Sequence, residues 1–472
     1  MPIHEGRVKR RLAVYSADAP LWACARIRVL QPFDLLEHEW ELVWGLDWRQ
    51  NPPALVEDAW QDADAVLIQR YFPIPETAEL LDKILASGIP VVYDIDDAIT
   101  ELTAADPYYR DIARSQPYVN AVLARANAVF VSTAQLRASL AGVARNVTVL
   151  PNLVDLRLFA WPVAMPSSVT RIGVLGTGTH SADMALLDNV LRRILDKYAG
   201  RVEVVVMGMQ PTSGVRNPAI RYIDFAADYE RYADRLRSLG LHIALAPLQD
   251  TTFNRCKSNI KWLEYSACGI AGVYSDVLPY RCIHNGETGL LAANNEAAWL
   301  AAIESLIERP ERRMAMAQAA QREVFENYAL QTRVGLYADA YRQAIELDSP
   351  AATNEVDDSA PADNKAEAQP LSNEVLYPLW QATRFWRERD AMWMAERMAE
   401  WTTHPTLHLV TIVPLDAAGG LVATIQSLGR QLYSGWRLSI VADFEAPEGL
   451  SGEGSIKWVH AEPGTLLAAA NN

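Results

Sequence analysis

The chain has little of three things that would each assign it to a class of protein: paired cysteines, long apolar runs and basic charge. Its four cysteines form no Cys-x-x-Cys pair, so the sequence indicates neither a zinc site nor a disulfide framework. No stretch approaches the ~18 apolar residues of a spanning helix, and the apolar run after the basic N-terminus is too short for a signal peptide. A formal charge of −15 argues against a general nucleic-acid binder, because the chain has no excess of basic residues to pair with a phosphate backbone.

These absences favour a reduced, cytoplasmic protein with no metal site, no cofactor and no nucleic-acid partner. A peripheral contact with the inner face of a membrane remains compatible with them. What the chain does have is length and apolar content. Half of its 472 residues are hydrophobic, which is enough for buried cores in about three domains of ~150 residues each.

Short apolar runs alternate with longer helical patterns from Arg11 to about residue 345. Such alternation is typical of parallel sheets with helices on both faces. The predicted strands fall into two series, at 12–15, 65–68, 91–93, 128–131 and 147–150, and at 171–175, 202–207, 243–246, 272–274 and 289–291. We therefore predict an α/β protein with two Rossmann-like domains facing a cleft, residues 1–165 and 166–347, the second closed by a helical region at 311–347.

The remaining residues divide into three segments. Residues 348–372 are rich in Ala, Pro, Asp, Glu and Asn, which predicts a disordered linker. Residues 373–404 have a helical pattern with several aromatic side chains, for which packing against a neighbouring domain is favoured over a membrane belt. In residues 405–472 a new series opens, with strands at 407–413 and 436–441 and a helix at 421–432. It is short for an α/β domain, so we expect an incomplete one.

The most informative motif is the segment 252–269. Lys257, Lys261 and Glu264 are spaced four and then three residues apart, which predicts that they share one face of a helix ended by Gly269. Lysine neutralises phosphate, and a carboxylate accepts hydrogen bonds from ribose hydroxyls. The spacing therefore fits a nucleotide-sugar site. An amphipathic helix with a solvated charged face is the equally weighted alternative.

A glycine-containing loop follows the strand predicted at 171–175. Gly176, Thr177, Gly178 and His180 precede a predicted helix at 182–198, an arrangement that lets backbone N–H groups approach a diphosphate. Two of the three glycines of the dinucleotide fingerprint are present, and Glu203 lies inside the next strand rather than at its end. A nicotinamide site is therefore the weaker interpretation. For His180, a solvated or structural position is the alternative to binding phosphate.

Charged residues cluster where strands of the first domain end. Asp94 and Asp96 are predicted to face one side, where they would bind a metal or orient an acceptor hydroxyl, while Asp97 alternatively caps a following helix. Arg70 ends the preceding strand and Arg28 follows the first one. Both arginines are candidates for holding a phosphate or an acidic sugar, with a surface ion pair as the alternative for Arg28.

Taken together, these residues resemble a known family. The run 245–269, with 274–280 and 285–289, resembles the donor half of group-1 glycosyltransferases of the GT-B fold, and 92–97, 131–133 and 150–152 support the match. The resemblance covers roughly residues 11–345. It implies transfer of a sugar from a nucleotide-diphosphate donor to a glycan or lipid-linked acceptor, with retention and no obligatory metal. It also implies a bacterial surface-polysaccharide pathway, with the donor bound mainly by the second domain.

The family has a motif of two glutamates separated by seven residues. Glu264 matches the second of them, which the resemblance implies would hold the donor ribose. The first glutamate would stand at 256, where this chain has Cys256. By the same resemblance, Lys257 and Lys261 are expected to bind the donor diphosphate, together with the loop that begins at Gly176. In the family, this first glutamate contacts the donor sugar, so its replacement by cysteine leaves the identity of the sugar undetermined. The replacement also motivates an alternative function, a nucleotide-sugar-binding pseudoenzyme or assembly module. The candidate catalytic residues are Lys261, Asp96 and Arg70.

The C-terminal segment carries a second resemblance. The runs 409–414, 424–428, 431–436 and 440–443 are similar to the opening of group-2, GT-A-type glycosyltransferases, and Asp443 matches the acid that contacts the nucleobase. Leu415 and Asp416 stand where the family usually has Tyr-Asn. The metal-binding DXD motif would lie beyond residue 472. The resemblance therefore implies a segment that is no transferase by itself, whether truncated, split from a second gene product or decayed.

Overall fold

The computed structural model describes residues 9–50, 53–102, 113–176, 181–208 and 217–347, together with 406–413, 421, 425, 436–446, 456–462 and 465. The chain divides into two compact units, Met1–Thr383 and Arg384–Asn472. The larger unit contains two parallel sheets of six strands each, and the smaller one contains a sheet of three strands.

The first sheet has the strand order β2-β1-β5-β6-β7-β8, and all its neighbouring strands pair in parallel. Every residue of β5 and β6 is buried, as expected of central parallel strands covered on both faces. A short antiparallel hairpin, β3 and β4, lies beside it. The strands are β1 (Arg10–Ser16), β2 (Trp40–Trp44), β3 (Leu46–Asp47), β4 (Ala54–Leu55), β5 (Ala65–Gln69), β6 (Val91–Ile95), β7 (Ala128–Val131) and β8 (Val147–Val149).

The second sheet is also wholly parallel, in the order β11-β10-β9-β12-β13-β14. Counted within this half, that is the strand order of a dinucleotide-binding sheet. The two sheets confirm the predicted α/β architecture of two Rossmann-like units. The strands are β9 (Thr170–Leu175), β10 (Val202–Met207), β11 (Ile220–Ile223), β12 (Ile243–Ala246), β13 (Ala271–Ser275) and β14 (Leu290–Ala292).

Helices cover both faces of each sheet. Those of the first half are Ala23–Ala25, Gln31–Leu35, Ala78–Ala86, Gln116–Arg125, Ala134–Ser139 and Leu156–Phe159, with a π-helical turn at Arg26–Leu30. Those that follow are Ser181–Met184, Asp188–Lys197, Tyr229–Ser238, Thr252–Arg255, Ile260–Ala267, Glu296–Glu308, Pro310–Asn327, Leu330–Arg333 and Gly335–Glu346. The region predicted as one helix at 182–198 is thus two helices, and the region 311–347 is three. None of the helices that the structure describes combines the length and apolar character needed to cross a membrane.

The last helix, Gly335–Glu346, packs on the first sheet rather than on the second. Tyr337 and Tyr341 are buried in the same core cluster as residues of β1, β5 and β7. The Tyr341 ring meets the edges of Phe33 and Phe130 at centroid distances of 5.0 Å. Residues that the sequence assigns to the second domain therefore complete the core of the first. The domain limits themselves stay predictions.

All ten predicted strands of the two domains are confirmed, with ends that shift by a residue or two. The strands that the sequence did not predict include β2 and β11, which lie at sheet edges, and each carries an exposed charged residue, Glu41 or Arg221. In the C-terminal segment, β15 (Leu407–Val413) and β16 (Trp436–Ala442) confirm two predictions, and β17 (Ile456–His460) adds a third parallel strand. The linker 348–372, the segment 373–404 and most of the helix 421–432 lie outside the described residues.

Candidate functional site

The strand order reverses once in each sheet, between β1 and β5 in the first and between β9 and β12 in the second. Open α/β sheets bind ligands at such points, outside the carboxyl ends of the strands. Arg70 directly follows β5, and Gly176 directly follows β9. Helices that follow strands begin at this same edge, so Tyr229–Ser238 and Ile260–Ala267 present their first turns there.

The segment 252–269 forms two helices where the sequence predicts one. Thr252–Arg255 ends in a tight turn, in which the Lys257 N–H donates to the Asn254 carbonyl at 3.1 Å. A second helix, Ile260–Ala267, then begins. Lys261 and Glu264 share this helix as predicted, but the placement of Lys257 on the same helical face is wrong. The helix is interrupted where the chain turns to contact the first half.

The predicted end of this helix is confirmed. Gly269 has a φ of +66°, the left-handed conformation expected of a glycine cap. Its N–H donates to the Ser266 carbonyl at 2.9 Å, and the Ile270 N–H donates to the Tyr265 carbonyl at 3.0 Å. A Cβ at position 269 would lie 2.7 Å from the Cα of Val163, so close packing adds to the conformational need for glycine.

Glu264 is only 2% exposed and lies in a hydrogen-bonded network. The Tyr229 hydroxyl donates to Oε1 at 2.9 Å and the Tyr232 hydroxyl donates to Oε2 at 2.7 Å. Lys261 Nζ lies 3.3 Å from Oε2 and donates to the Tyr232 hydroxyl oxygen at 3.0 Å. A buried carboxylate is costly unless it is paired and hydrogen-bonded. This network meets that requirement, and it joins a lysine to a carboxylate as the nucleotide interpretation needs.

The two tyrosines were not predicted as site residues. They lie three residues apart on the helix Tyr229–Ser238, whose first turn is capped by the Asp228 side chain, and their rings stack at 5.9 Å. Burial, followed by the Glu264 charge, raises the pKa of both hydroxyls well above the ordinary value, so they stay protonated donors. Their spacing on one helix was the available signal, but it does not reveal a partner more than thirty residues away in the chain.

Cys256 stands where the resemblance places a glutamate, and it does not face an open site. It is 1% exposed and belongs to the hydrophobic core cluster of the first half, against which Phe253 also packs. Its carbonyl accepts a hydrogen bond from Thr133 Oγ1 at 2.9 Å. Burial raises the pKa of its thiol. Lys257, next in the chain, lies over the Phe253 ring with Nζ 5.1 Å from the centroid.

Of the loop predicted to hold a diphosphate, Gly176 is described and Thr177 and His180 lie outside the described residues. The Gly176 N–H donates to the Met207 carbonyl at 3.1 Å. A Cβ at Gly208 would lie 2.2 Å from the Gly176 carbonyl oxygen, so the chain passes close at this point. Gly176, Thr177 and His180 stay predictions as donor-binding residues.

Arg70 lies at the centre of an acidic cluster. It has a φ of +44°, which is uncommon for a residue other than glycine. Its guanidinium pairs with Asp18 at 3.2 Å, Asp96 at 2.9 Å and Asp97 at 2.8 Å, and it lies over the Tyr71 ring. Burial raises the pKa of Asp96 to about 6, with Asp97 adding to the shift and Arg70 opposing it. Three carboxylates around one guanidinium leave this cluster net negative.

This geometry corrects the expectation that the two arginines hold an anionic group. Arg28 is buried, and its Nη2 lies 2.7 Å from Asp94 Oδ2, while Nη1 donates to the Leu150 carbonyl and to Asn152 Oδ1. It is therefore neither a surface ion pair nor available to a ligand. The expected pair of Asp94 with Asp96 is also wrong, because Asp94 is paired with Arg28 and Asp96 is paired with Arg70.

One loop connects the two groups of side chains. The chain after β1 places Asp18 and Cys24 against Arg70, which donates to both. A few residues away, the Leu21 carbonyl accepts a hydrogen bond from the Tyr229 N–H at 2.9 Å. The Arg70 cluster and the Glu264 network therefore lie on either side of the same loop, where the first and second halves meet.

A cavity of about 410 Å³ lies elsewhere, at the opposite edge of the second sheet. Its lining includes Arg171 and His242, near the amino ends of β9 and β12, and the exposed side chains of Trp161 and Met165. His242 is held by the Arg171 N–H and the Met165 carbonyl. Because ligands of open α/β sheets bind at the carboxyl edge, this cavity is not the candidate site.

With this geometry in view, comparisons with known proteins identify the fold. The chain resembles sucrose-phosphate synthase from Thermosynechococcus elongatus, with a TM-score of 0.55 and 14% identity over 72% of this chain and 100% of that one. It also resembles HepE from Anabaena, solved in complex with UDP, with a TM-score of 0.50 and 14% identity over 71% of this chain and 100% of that one. This is the GT-B fold. At such identity, the likeness of this GT-B chain to the two proteins shows the fold alone.

The second half of the GT-B unit has its own match. Residues 191–339 match the family model described as Glycosyl transferase-like, so the chain carries a glycosyltransferase domain. That domain contains Tyr229, Tyr232, Lys261 and Glu264. No curated protein sequence matches the chain. The family match ends at residue 339, and the resemblance of residues 405–472 to GT-A-type transferases stays a prediction.

Proposed function

We propose that this protein is a retaining glycosyltransferase that moves a sugar from a nucleoside-diphosphate donor to a hydroxyl of a glycan or lipid-linked acceptor. The observation that carries the proposal is the Glu264 network. A buried carboxylate and the Lys261 ammonium lie side by side at the carboxyl edge of the second sheet, inside the glycosyltransferase domain. A carboxylate suits ribose hydroxyls, and an ammonium suits a diphosphate.

In this proposal, charge develops on the departing diphosphate, and Lys261, Lys257 and the backbone near Gly176 stabilise it. The leaving phosphate itself takes the proton of the acceptor hydroxyl, so no separate protein base is required. Asp96, held by Arg70, accepts a hydrogen bond from the acceptor and orients it. Because the Arg70 cluster is net negative, we expect a neutral hydroxyl rather than an anionic group to lie beside it.

We propose a cytoplasmic setting, at the inner membrane face, in the assembly of a bacterial surface polysaccharide. All four cysteines are free thiols in the structure, which fits a reducing compartment. HepE, which shares the fold, was solved with UDP, so uridine nucleotides are the first donors to try.

A second function is favoured by Cys256. With the first motif glutamate replaced by a thiol that is buried against the first half, the protein would bind a nucleotide-sugar without transferring it. The two functions separate in a turnover assay with UDP-, GDP- and ADP-sugars, with and without lipid-linked and soluble glycan acceptors. Release of nucleoside diphosphate that drops at least tenfold in Lys261→Met, at a temperature where both proteins are folded, supports the transferase. Binding without release under every acceptor supports the module.

A further inference from the structure

The hydrogen-bond geometry around Glu264 is uneven between its two oxygens. Oε2 faces both the Tyr232 hydroxyl at 2.7 Å and Lys261 Nζ at 3.3 Å, which match the two lone pairs of that oxygen. Oε1 accepts from the Tyr229 hydroxyl at 2.9 Å, which leaves it a second lone pair. Oε1 lies against the buried Tyr229, whereas Oε2 lies on the partly exposed side of the carboxylate, with Tyr232 and Lys261.

Tyr232 also constrains Lys261. The lysine donates to the Tyr232 hydroxyl at 3.0 Å, and its Nζ lies 4.9 Å from the centroid of the same ring. Two of the three ammonium N–H groups are thus directed at Tyr232 and Glu264. The side chain is 24% exposed, so the third is able to reach a ligand. Tyr232 therefore holds the ammonium through its hydroxyl.

We infer that Tyr232 is a positioning residue, which aims Lys261 at the donor diphosphate. This inference rests on the proposed function. Tyr229 differs from Tyr232 in one respect that matters here. Both hydroxyls donate to the Glu264 carboxylate, Tyr229 to Oε1 and Tyr232 to Oε2. Lys261 donates to the Tyr232 hydroxyl.

That difference supplies a matched pair of variants, Tyr232→Phe and Tyr229→Phe, each of which removes one hydroxyl from the same network. The measurement is calorimetric affinity for UDP, GDP and ADP and for uridine, guanosine and adenosine. For the diphosphate that binds most tightly, the ratio of its affinity to that of its nucleoside reports what the diphosphate contributes. We expect Tyr232→Phe to lower this ratio about tenfold, as for a lost hydrogen bond to a charged group, and Tyr229→Phe to leave it unchanged.

A double-variant cycle completes the test. In a Lys261→Met background, Tyr232→Phe should have little further effect on the ratio, since its partner is gone. If both tyrosine variants weaken nucleoside and diphosphate equally, Tyr232 is merely structural and the inference is overturned. If wild-type protein binds none of the three diphosphates, the proposed function fails first, and the inference fails with it.

Discussion

A lysine and a glutamate three residues apart are common on helix surfaces, where such pairs contribute little. Glu264 differs because it is buried and its partners come from two helices. Spacing along the chain predicted the Lys261–Glu264 pair, since both lie on one helix. It could not predict the two tyrosines or the acids around Arg70, because these meet only when separate strands and helices pack.

Cys256 gives a prediction at the same scale. Its position in the first half's core predicts that Cys256→Glu, which restores the family residue, would bury an unpaired charge. We expect the free energy of unfolding to fall by roughly 3–5 kcal/mol, measured by chemical denaturation. Cys256→Ala is the size control, for which about 1 kcal/mol is expected. Equal stability of the two variants would mean that position 256 reaches solvent or the donor sugar.

Asp96 gives a prediction about pH. Its pKa is raised to about 6, against 3.8 for the free group, so the folded protein holds a proton there that the unfolded chain has released. The contribution of Asp96 to stability is therefore highest at low pH and falls as pH rises through this window. As pH rises from about 4 to about 7, the free energy of unfolding of wild type should fall relative to that of Asp96→Asn, measured by urea denaturation. The exposed Asp58→Asn is the control, and parallel curves for all three proteins would contradict the assignment.

Among the elements, those with continuous apolar runs or a definite end signal were predicted from sequence. The central strands and the Gly269 cap belong to this group. The break at 256–259 was not predicted, because it follows from a contact with the first half rather than from local helix propensity. The same reason explains the last helix, whose apolar face fits either sheet by pattern and packs on the first.

That packing predicts the effect of Tyr341→Ala. The ring is 1% exposed and contacts three aromatic side chains of the first half, so its loss leaves a cavity between helix and sheet. We expect a loss of about 3–5 kcal/mol in the free energy of unfolding. Leu336→Ala on the same helix is the matched control, since Leu336 is 43% exposed and should cost little. A similar small effect for both variants would show that this helix does not complete the first core.

For the whole GT-B unit, the resemblance and the alternation of strands and helices predicted two Rossmann-like halves, because parallel sheets impose a pattern on the entire sequence. The site was predicted in part. Its residues gather at the carboxyl edges of both sheets and on either side of the loop after β1, as a cleft requires. The sequence could not predict which charged side chains pair with each other at this site, because the pairing depends on how the strands and helices pack. That is why Arg28 and Asp94, predicted as site residues, prove to be structural.

The central claim is that the Glu264 network binds a nucleoside diphosphate. Calorimetric titration of UDP, GDP and ADP into wild-type protein and Glu264→Gln tests it most directly, with Glu326→Gln at an exposed position as the control. We expect at least one diphosphate to bind wild type and the control alike, and to bind Glu264→Gln about ten- to a hundredfold more weakly at a temperature where all three proteins are folded. Equal affinity of Glu264→Gln and wild type for that diphosphate would contradict the claim.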